Sequence, residues 1–316
     1  LTRPTMLRSL LLYLAQAAWA QKIVSNWRVT KRVVRRFVAG ETLQEAVEAV
    51  RELNAKGLTA TLDVLGESID EPGKARAMKD AYIELLEAID ANDLDAWVSL
   101  KLTALGLDVD EALCRDNLRQ ILACARDLDR DIRITIDMED HTYTDRTLDM
   151  FRALRAEDGF DNVRTVIQAY LYRSDDDIAR LVEECAGIRL CKGAYKEPPS
   201  VAYPNKRDVD QAYIRNMEVL LKAASNGCGY PGIATHDERI INQAKGFAAA
   251  FGIPRSRFEF QMLYGVRSAL QEELAAQDYR VRVYVPYGTE WYPYFMRRLA
   301  ERPANVWFFV SNFFRR

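Results

Sequence analysis

The feature that most constrains the fold of this 316-residue chain is a repeated alternation of short strand-forming runs with amphipathic helical segments. We identify eight such runs, at residues 58–65, 96–102, 132–138, 163–169, 187–192, 231–235, 257–262 and 281–285. Strands separated by helical crossovers run parallel, because each helix covers a face of the sheet. Eight units in about 250 residues favour a closed (β/α)8 TIM-type barrel, in the α/β class. The alternative, an open doubly wound sheet, lacks its expected G-x-G-x-x-G here.

Several helix ends can be read directly from the sequence. Thr42 and Glu45 have the spacing of a capping box, and Gly57 ends the helix that they begin. Ser174 and Asp237 each precede an apolar helical stripe, so we expect both to cap helices. These signals place helices between the predicted strands.

The two ends of the chain differ from its centre. We divide it into an N-terminal helical arm (1–57), a catalytic barrel (58–303) and a C-terminal aromatic tail (304–316). The apolar run 10–20 is interrupted by Gln16 and has helical spacing, which favours an amphipathic helix; a secretion signal is the alternative. The run is too short to span a bilayer. We therefore expect a cytoplasmic protein in peripheral contact with the inner face of the membrane.

Composition excludes some classes of function. The net charge is -2, with lysine and arginine spread along the chain, so no basic surface for nucleic acid is expected. Five cysteines without a C-x-x-C pair and only two histidines favour neither a metal site nor a disulfide framework. We expect a reducing compartment, with most of the thiols packed as small core residues.

Polar residues stand at the carboxyl ends of the predicted strands, where barrel enzymes carry their catalytic groups. They are Lys101, Asp137, Glu139, Gln168, Arg189, Lys192, His236, Gln261 and Tyr284. A barrel that served only as a scaffold would have no reason to direct a cation, a carboxylate, an amide and an imidazole to one mouth.

Two local patterns suggest the kind of ligand. In the run 189–195, two cations are followed by small residues that let a ligand approach the backbone, which suits a large planar anion. The alternative interpretation is an ordinary transition from strand to loop, in which the two cations are solvated. In the last helix, Arg297 and Arg298 lie one turn from Glu301, an arrangement that suits bidentate binding of a carboxylate. A surface salt bridge is the alternative there.

Together, five motifs resemble the proline dehydrogenase family in its short, monofunctional bacterial form. They are the runs 189–195 (RLCKGAY), 166–170 (VIQAY), 234–236 (ATH) and 258–261 (FEFQ), and Arg297-Arg298 with Glu301. The resemblance extends over about residues 58–301. It implies a distorted barrel with non-covalently bound FAD, and oxidation of L-proline to Δ1-pyrroline-5-carboxylate. It also implies a membrane quinone as electron acceptor, and a separate pyrroline-5-carboxylate dehydrogenase for the next step.

The resemblance also assigns roles to individual residues. Asp137 and Arg189 would be catalytic, with Arg189 near the flavin N5. Lys101, Arg297 and Arg298 would bind the proline carboxylate, Glu301 would brace the arginines, and Tyr195, Leu263 and Tyr284 would wall the ring. Flavin contacts would come from Met138, Gln168, Arg189, Lys192, Gly193, Ala194, Thr235, His236 and Gln261. Lys196 and Asp237 depart from the Trp and Asn that the resemblance to the large bifunctional relatives implies, at positions toward the outer parts of the cofactor.

Two other functions compete with this one. Lys101 and Lys192 both end strands, so a Schiff-base aldolase or lyase is possible on the residues alone. Such an enzyme would be colourless and trapped by borohydride. The apolar run 10–20 and the tail 306–316 would also suit a membrane-surface adaptor, which would leave the polar mouth unexplained.

Overall fold

The computed structural model describes residues 34–301, with side chains described through residue 296. Its eight strands are β1 Thr59–Val64, β2 Ala96–Leu100, β3 Ile134–Ile136, β4 Val163–Gln168, β5 Ile188–Cys191, β6 Gly232–Ala234, β7 Glu259–Leu263 and β8 Val281–Tyr287. The helices are α1 Leu43–Asn54, α2 Pro72–Ala91, α3 Glu111–Asp127, α4 Thr144–Ala156, α5 Ser174–Glu183, α6 Lys206–Ser225, α7 Glu238–Ala250, α8 Ser268–Ala276 and α9 Trp291–Glu301.

The strands form a closed parallel barrel in chain order, so the predicted (β/α)8 fold is confirmed. The barrel closes where β8 pairs with β1, in a register that sets Thr59 opposite Arg282 and Leu62 opposite Val285. No helix in the described range 34–301 is long and apolar enough to cross a bilayer. The boundaries proposed for the arm and the tail stay predictions, since residues 1–33 and 302–316 lie outside the described part.

The strands alternate between apolar and polar residues. Leu62, Val98 and Ile134 are fully buried in the apolar core between the strands and the surrounding helices. The intervening positions meet inside the barrel, where the Thr61 hydroxyl lies 3.3 Å from the Ser99 hydroxyl. The barrel interior is therefore largely polar, whereas the core usual for this fold is filled by branched aliphatic side chains.

Two of the three predicted helix caps are confirmed. The Thr42 hydroxyl accepts from Glu45 N at 3.3 Å while the Glu45 carboxylate accepts from Thr42 N at 3.2 Å, a complete capping box. Asp237 caps α7 by accepting from Arg239 N at 3.2 Å.

The cap predicted at Ser174 is wrong. Ser174 is the first residue of α5, and its hydroxyl donates to the Gln168 carbonyl at 2.6 Å. That carbonyl ends β4, so the serine ties the helix back to the strand instead of capping its own amide groups.

The cysteine prediction needs a correction. Cys185 and Cys228 form a disulfide, whereas Cys114, Cys124 and Cys191 are free. Cys185 precedes β5 and Cys228 precedes β6, and neighbouring parallel strands bring these two turns to the same end of the barrel. The 43-residue separation in sequence hides this proximity. Of the three free thiols, which we expected to pack as small core residues, Cys114 lies in the core and Cys124 and Cys191 are partly buried against it.

Candidate active site

Five side chains from five strands, or from the residues directly after them, meet at one end of the barrel. We call Asp63, Lys101, Asp137, Arg189 and Tyr284 the mouth cluster. Arg189 Nη1 lies 2.6 Å from Asp137 Oδ1, and the Tyr284 hydroxyl donates to Asp137 Oδ2 at 2.8 Å. Lys101 Nζ pairs with Asp63 Oδ2 at 3.2 Å. The structure thus brings together four residues that the sequence predicts separately.

Arg189 is held in one orientation by hydrogen bonds in three directions. Besides Asp137, it donates from Nε to Gln261 Oε1 at 2.5 Å and from Nη2 to the Ser99 hydroxyl at 2.8 Å. Its guanidinium also lies 5.3 Å from the centre of the Tyr284 ring. A buried cation fixed in this way can stabilise negative charge without reorganising.

Lys101 is held as a cation by its ion pair with Asp63. Burial alone would lower the pKa of its ammonium group, but the Asp63 and Asp137 carboxylates outweigh burial and raise that pKa above its usual value. A Schiff-base nucleophile must be neutral when it attacks. Lys192, the other candidate, forms ion pairs with Asp210 at 2.6 Å and Asp237 at 3.2 Å. Both lysines are therefore engaged by carboxylates in this structure, which does not favour the Schiff-base alternative.

Asp63 is a site residue that the sequence analysis missed. Its carboxylate is almost fully buried at the end of β1, where it accepts from Lys101 and from the Tyr82 hydroxyl at 3.3 Å. Burial raises the pKa of this carboxyl group, and Lys101 opposes the rise. The available signal was alternation, because Asp63 follows Thr59 and Thr61 at every second position of the strand.

The residues assigned to the flavin ring lie along one side of the mouth. Gln168 is buried and donates from Nε2 to the Glu139 carbonyl at 2.8 Å, next to buried Met138. The Glu139 carboxylate instead accepts from the Thr103 amide at 3.2 Å and hydroxyl at 2.7 Å, so it fastens the loop after β2. Burial raises the pKa of this carboxyl group.

Gly193 is required by the turn that follows β5. Its φ of +114° is rarely adopted by other residues, and an added Cβ would lie 2.4 Å from the Tyr170 ring. Ala194 is exposed beyond it and Tyr195 is half-buried. The predicted close approach of a ligand to this backbone stays a prediction.

The loop after β6 is ordered by side chains that were assigned to the cofactor. His236 Nε2 accepts from Leu263 N at 3.0 Å, and the Thr235 hydroxyl accepts from Asp237 N at 3.1 Å. The Asp237 carboxyl group has its pKa lowered to about 2, because Arg239 and Lys192 outweigh the effect of burial. This carboxylate is therefore ionised at neutral pH.

Gln261 lies inside the barrel beneath Arg189. Its carbonyl oxygen accepts from Arg189, and its amide donates to Glu259 Oε1 at 2.6 Å. A Cβ on Gly232 would lie 2.4 Å from the Gln261 amide nitrogen, so the two strands pack closely at this point. The predicted contact between Gln261 and the cofactor stays a prediction, and the position adds a second role, that of holding Arg189.

Two predicted wall residues are neighbours across strands. Leu263 is paired in register with Tyr284 between β7 and β8, and both are partly exposed at the mouth. Side chains opposite each other on adjacent strands lie close together, so an aromatic and an aliphatic surface line this edge together.

Helix α9 begins directly after β8 and carries the predicted carboxylate-binding arginines. Its first turns are anchored by buried Tyr292 and Phe295, and Trp291 Nε1 donates to Glu41 Oε1 at 3.3 Å. The side chains of Arg297, Arg298 and Glu301 lie outside the described residues, so their roles stay predictions.

The donor set suits a flavin. A fixed buried cation, a buried amide and a glycine turn with an exposed small neighbour surround the mouth, and these are the groups that a planar, electron-accepting, anionic cofactor needs. Among the residues that the structure describes, no group of three or more His, Cys, Asp or Glu side chains could hold a metal ion.

Comparison with known proteins identifies the family. The model of the family described as proline dehydrogenase matches residues 46–311. Proline dehydrogenase 1 of Bacillus subtilis subsp. natto is 44% identical over 97% of this chain and 99% of its own length. The proline dehydrogenase of Deinococcus radiodurans is 48% identical over 89% of each chain.

A solved structure shares the fold. Proline utilization A (PutA) from Bdellovibrio bacteriovorus, inactivated by N-propargylglycine, superimposes with a TM-score of 0.79 at 26% identity. The match covers 89% of this chain and 33% of that larger one. The family model, the relatives and the barrel agree, and the chain therefore belongs to the proline dehydrogenase family.

Proposed function

We propose that this protein oxidises L-proline to Δ1-pyrroline-5-carboxylate with FAD as its cofactor. The observation that carries the proposal is the fixed, buried Arg189 at a mouth that also holds Asp137 and Lys101. Membership of the family supports the same activity. The reaction removes a hydride from a ring carbon and a proton from nitrogen, so a C=N bond forms. FAD, when bound, supplies the hydride acceptor.

The residues that would hold FAD surround the strand ends β3 to β7. They are Met138, Gln168, Arg189, Lys192, Gly193, Ala194, Thr235, His236 and Gln261. Arg189 would face the flavin N5 and favour negative charge on the reduced ring, because its guanidinium is already oriented by Asp137 and Gln261. Gln168 would hydrogen-bond the ring.

Proline would bind between a cationic and an apolar surface. Lys101, Arg297 and Arg298 would hold the carboxylate, and Glu301 would brace the arginine pair. Lys101 suits this role because Asp63 keeps its ammonium group charged and in place. Tyr195, Leu263 and Tyr284 would enclose the ring, so that the reacting carbon is oriented and water is kept out.

The wider setting is also a proposal. The electrons would pass to a membrane quinone, and a separate pyrroline-5-carboxylate dehydrogenase would oxidise the product further. We propose a cytoplasmic enzyme in peripheral contact with the membrane, with the apolar run 10–20 and the aromatic tail 306–316 as the contact segments. If so, deleting residues 1–20 should improve solubility and preserve activity with a soluble dye. An N-terminus processed at Gln21 in a periplasmic fraction would contradict this location.

The decisive experiment is an absorption spectrum followed by turnover. Purified protein should show flavin bands, or acquire them with added FAD, and should reduce a dye acceptor when given proline. Protein that takes up no FAD would refute the proposal. Borohydride trapping of a carbonyl substrate would support the lysine-based alternative, which the ion pairs of Lys101 and Lys192 disfavour.

A further inference from the structure

A carboxylate on the loop after β5 accepts hydrogen bonds from two other loops. Only 3% of the Glu197 side chain is exposed. Its Oε1 accepts from His141 N at 2.9 Å and from the Tyr170 hydroxyl at 3.1 Å, and its Oε2 lies 2.5 Å from His141 Nδ1. We call these three residues the Glu197 clasp. The resemblance includes Tyr170 in the run 166–170 but assigns it no role, and neither the resemblance nor the polar strand ends singles out His141 or Glu197.

The clasp joins the loops that follow three consecutive strands. His141 belongs to the loop after β3, four residues beyond Asp137, and Tyr170 to the loop after β4. Glu197 lies two residues beyond Tyr195 in the loop after β5. One buried carboxylate therefore fixes the relative positions of three segments around the mouth.

Tyr170 closes the turn from its inner side. Its ring packs against Gly193, its amide donates to the Lys192 carbonyl at 3.0 Å, and its hydroxyl reaches Glu197. Segment 193–197 therefore curves around one aromatic ring and is held at both ends. Burial raises the pKa of the Tyr170 phenol above its usual range, and the Glu197 carboxylate acts in the same direction, so the hydroxyl remains a donor.

We propose that Glu197 is a positioning residue, which sets the turn 193–195 at the correct distance from Asp137 and Met138 through His141 and Tyr170. The inference rests on the proposed function, because the turn matters only if it contacts FAD and proline. Glu197 itself acts on neither ligand. Its removal should weaken FAD binding and raise the KM for proline more than it lowers kcat.

The test compares three variants of the full-length protein. Glu197→Gln keeps the size of the side chain but removes its charge, and Tyr170→Phe removes only one hydroxyl. Glu184→Gln is the matched control, because Glu184 also joins two elements, accepting from Arg152 Nε at 2.8 Å, but does so in the turn before β5 at the opposite end of the barrel. The measurements are the FAD dissociation constant by fluorescence titration, proline kinetics, the melting temperature, and hydrogen exchange of residues 193–200.

For Glu197→Gln we expect the FAD dissociation constant to rise about tenfold, equivalent to roughly 1.4 kcal/mol, with faster exchange in 193–200. Tyr170→Phe should also raise the FAD dissociation constant and the exchange rate of 193–200, but by less. Glu184→Gln should leave both quantities unchanged. A merely structural carboxylate would lower the melting temperature and leave the FAD affinity of the folded protein unchanged. If Glu197→Gln does not fold, Tyr170→Phe decides the question.

The experiment distinguishes failure of the proposed function from failure of this inference. A wild-type protein that takes up no FAD would overturn the proposed function, and this inference with it. Variants that bind FAD as tightly as a wild type that does bind it would overturn the inference alone.

Discussion

The two ends of the barrel interior both contain buried charge, but they differ in how it is enclosed. At the end opposite the mouth, Trp97, Arg164, Tyr230, Glu259 and Arg282 form what we call the floor cluster. Arg282 donates from Nε to Glu259 at 2.8 Å and lies 3.6 Å from the centre of the Trp97 ring. The side chains of Arg282 and Glu259 are 1% and 0% exposed, respectively. In the mouth cluster, Asp137 keeps 14% of its side chain exposed.

We infer from this difference in exposure that the floor cluster stabilises the fold, whereas the mouth cluster carries out the chemistry. Arg282 also donates to the Ala60 carbonyl at 2.7 Å, so the buried ion pair of Arg282 and Glu259 is bound by protein partners alone. The mouth cluster is oriented by similar contacts, but the Asp137 side chain is not fully enclosed. Catalytic groups of this fold stand at the carboxyl ends of the strands, whereas the opposite end serves stability.

Gln261 links the two clusters. Its amide donates to Glu259 in the floor and its carbonyl accepts from Arg189 in the mouth. Because an amide has one donor end and one acceptor end, the Glu259 carboxylate determines which end faces Arg189. The two clusters are therefore coupled through one side chain.

The largest expected effect is on stability, in Glu259→Gln. The change leaves Arg282 and Arg164 without their buried counter-ion, so the free energy of unfolding at pH 7 should fall by about 3–5 kcal/mol. Urea unfolding measures it, with Glu184→Gln as control. An unchanged free energy would show that the arginines find other partners and that the floor is not held by this charge.

At acid pH, the free energy of unfolding of Glu259→Gln should no longer differ from that of the wild type. Burial alone would raise the pKa of the Glu259 carboxyl group, but Arg282 and Arg164 outweigh burial and lower it. A lowered pKa in the folded state contributes stability above the unfolded pKa of about 4.3, and this contribution is lost as the pH falls through the folded value. The free energies of unfolding of the variant and the wild type should therefore approach each other as the pH falls below about 4.3. A difference that stays constant down to acid pH would contradict the ion-pair explanation.

In the mouth cluster, Arg189→Met should act mainly on the chemistry. Loss of one fixed donor facing developing charge typically lowers a rate by about 10²–10³-fold. Stopped-flow reduction of the flavin by proline measures this, provided that the variant still holds FAD. If the flavin of the variant is reduced at the wild-type rate, Arg189 has no part in the reaction.

Gln261→Met tests the link itself. Both hydrogen bonds are lost while volume is kept, so the free energy of unfolding should fall by roughly 1–3 kcal/mol, and flavin reduction should slow by less than in Arg189→Met. Because the two residues interact, a double variant with Glu259→Gln should cost less than the sum of the single changes. Additive effects would show that the clusters are independent.

The smallest effect concerns choice of substrate. The family resemblance sets Tyr284 against the ring carbon that bears the hydroxyl in 4-hydroxyproline, so the wild type should prefer proline. Tyr284→Ser removes the wall and supplies a hydrogen-bonding group, which should narrow the preference by about tenfold, or roughly 1.4 kcal/mol. The ratio of kcat/KM for the two substrates measures it. If the ratio is the same in the variant as in the wild type, Tyr284 does not line the ring pocket.

The fold could be predicted because the alternation of strand and helix is a local property of the sequence. The strand ends could not, because they depend on pairing. The run 132–138 yields only Ile134–Ile136, and the run 257–262 yields Glu259–Leu263, since residues 255–257 form a turn of 3-10 helix after Pro254.

The site could be predicted only where function coincides with strand ends. Lys101, Asp137, Arg189 and Tyr284 were found in this way. Glu259 was passed over because it begins a strand, and Glu197 and His141 because loops after different strands meet through the fold and not through sequence spacing. The bond between Cys185 and Cys228 escaped notice for the same reason.

Closure of the barrel has a consequence for biosynthesis. Strand β1 finds its second neighbour in β8, and Arg282 reaches the Ala60 carbonyl across 222 positions of the chain. A ribosome that adds about 5–20 residues per second must extend the chain for on the order of ten seconds or more after β1 before this seam can form. Throughout that time one edge of β1 is unpaired and the charges of the floor are incomplete. We expect nascent chains that end before Val281 to depend on chaperones, and those that extend past Tyr287 to become independent of them.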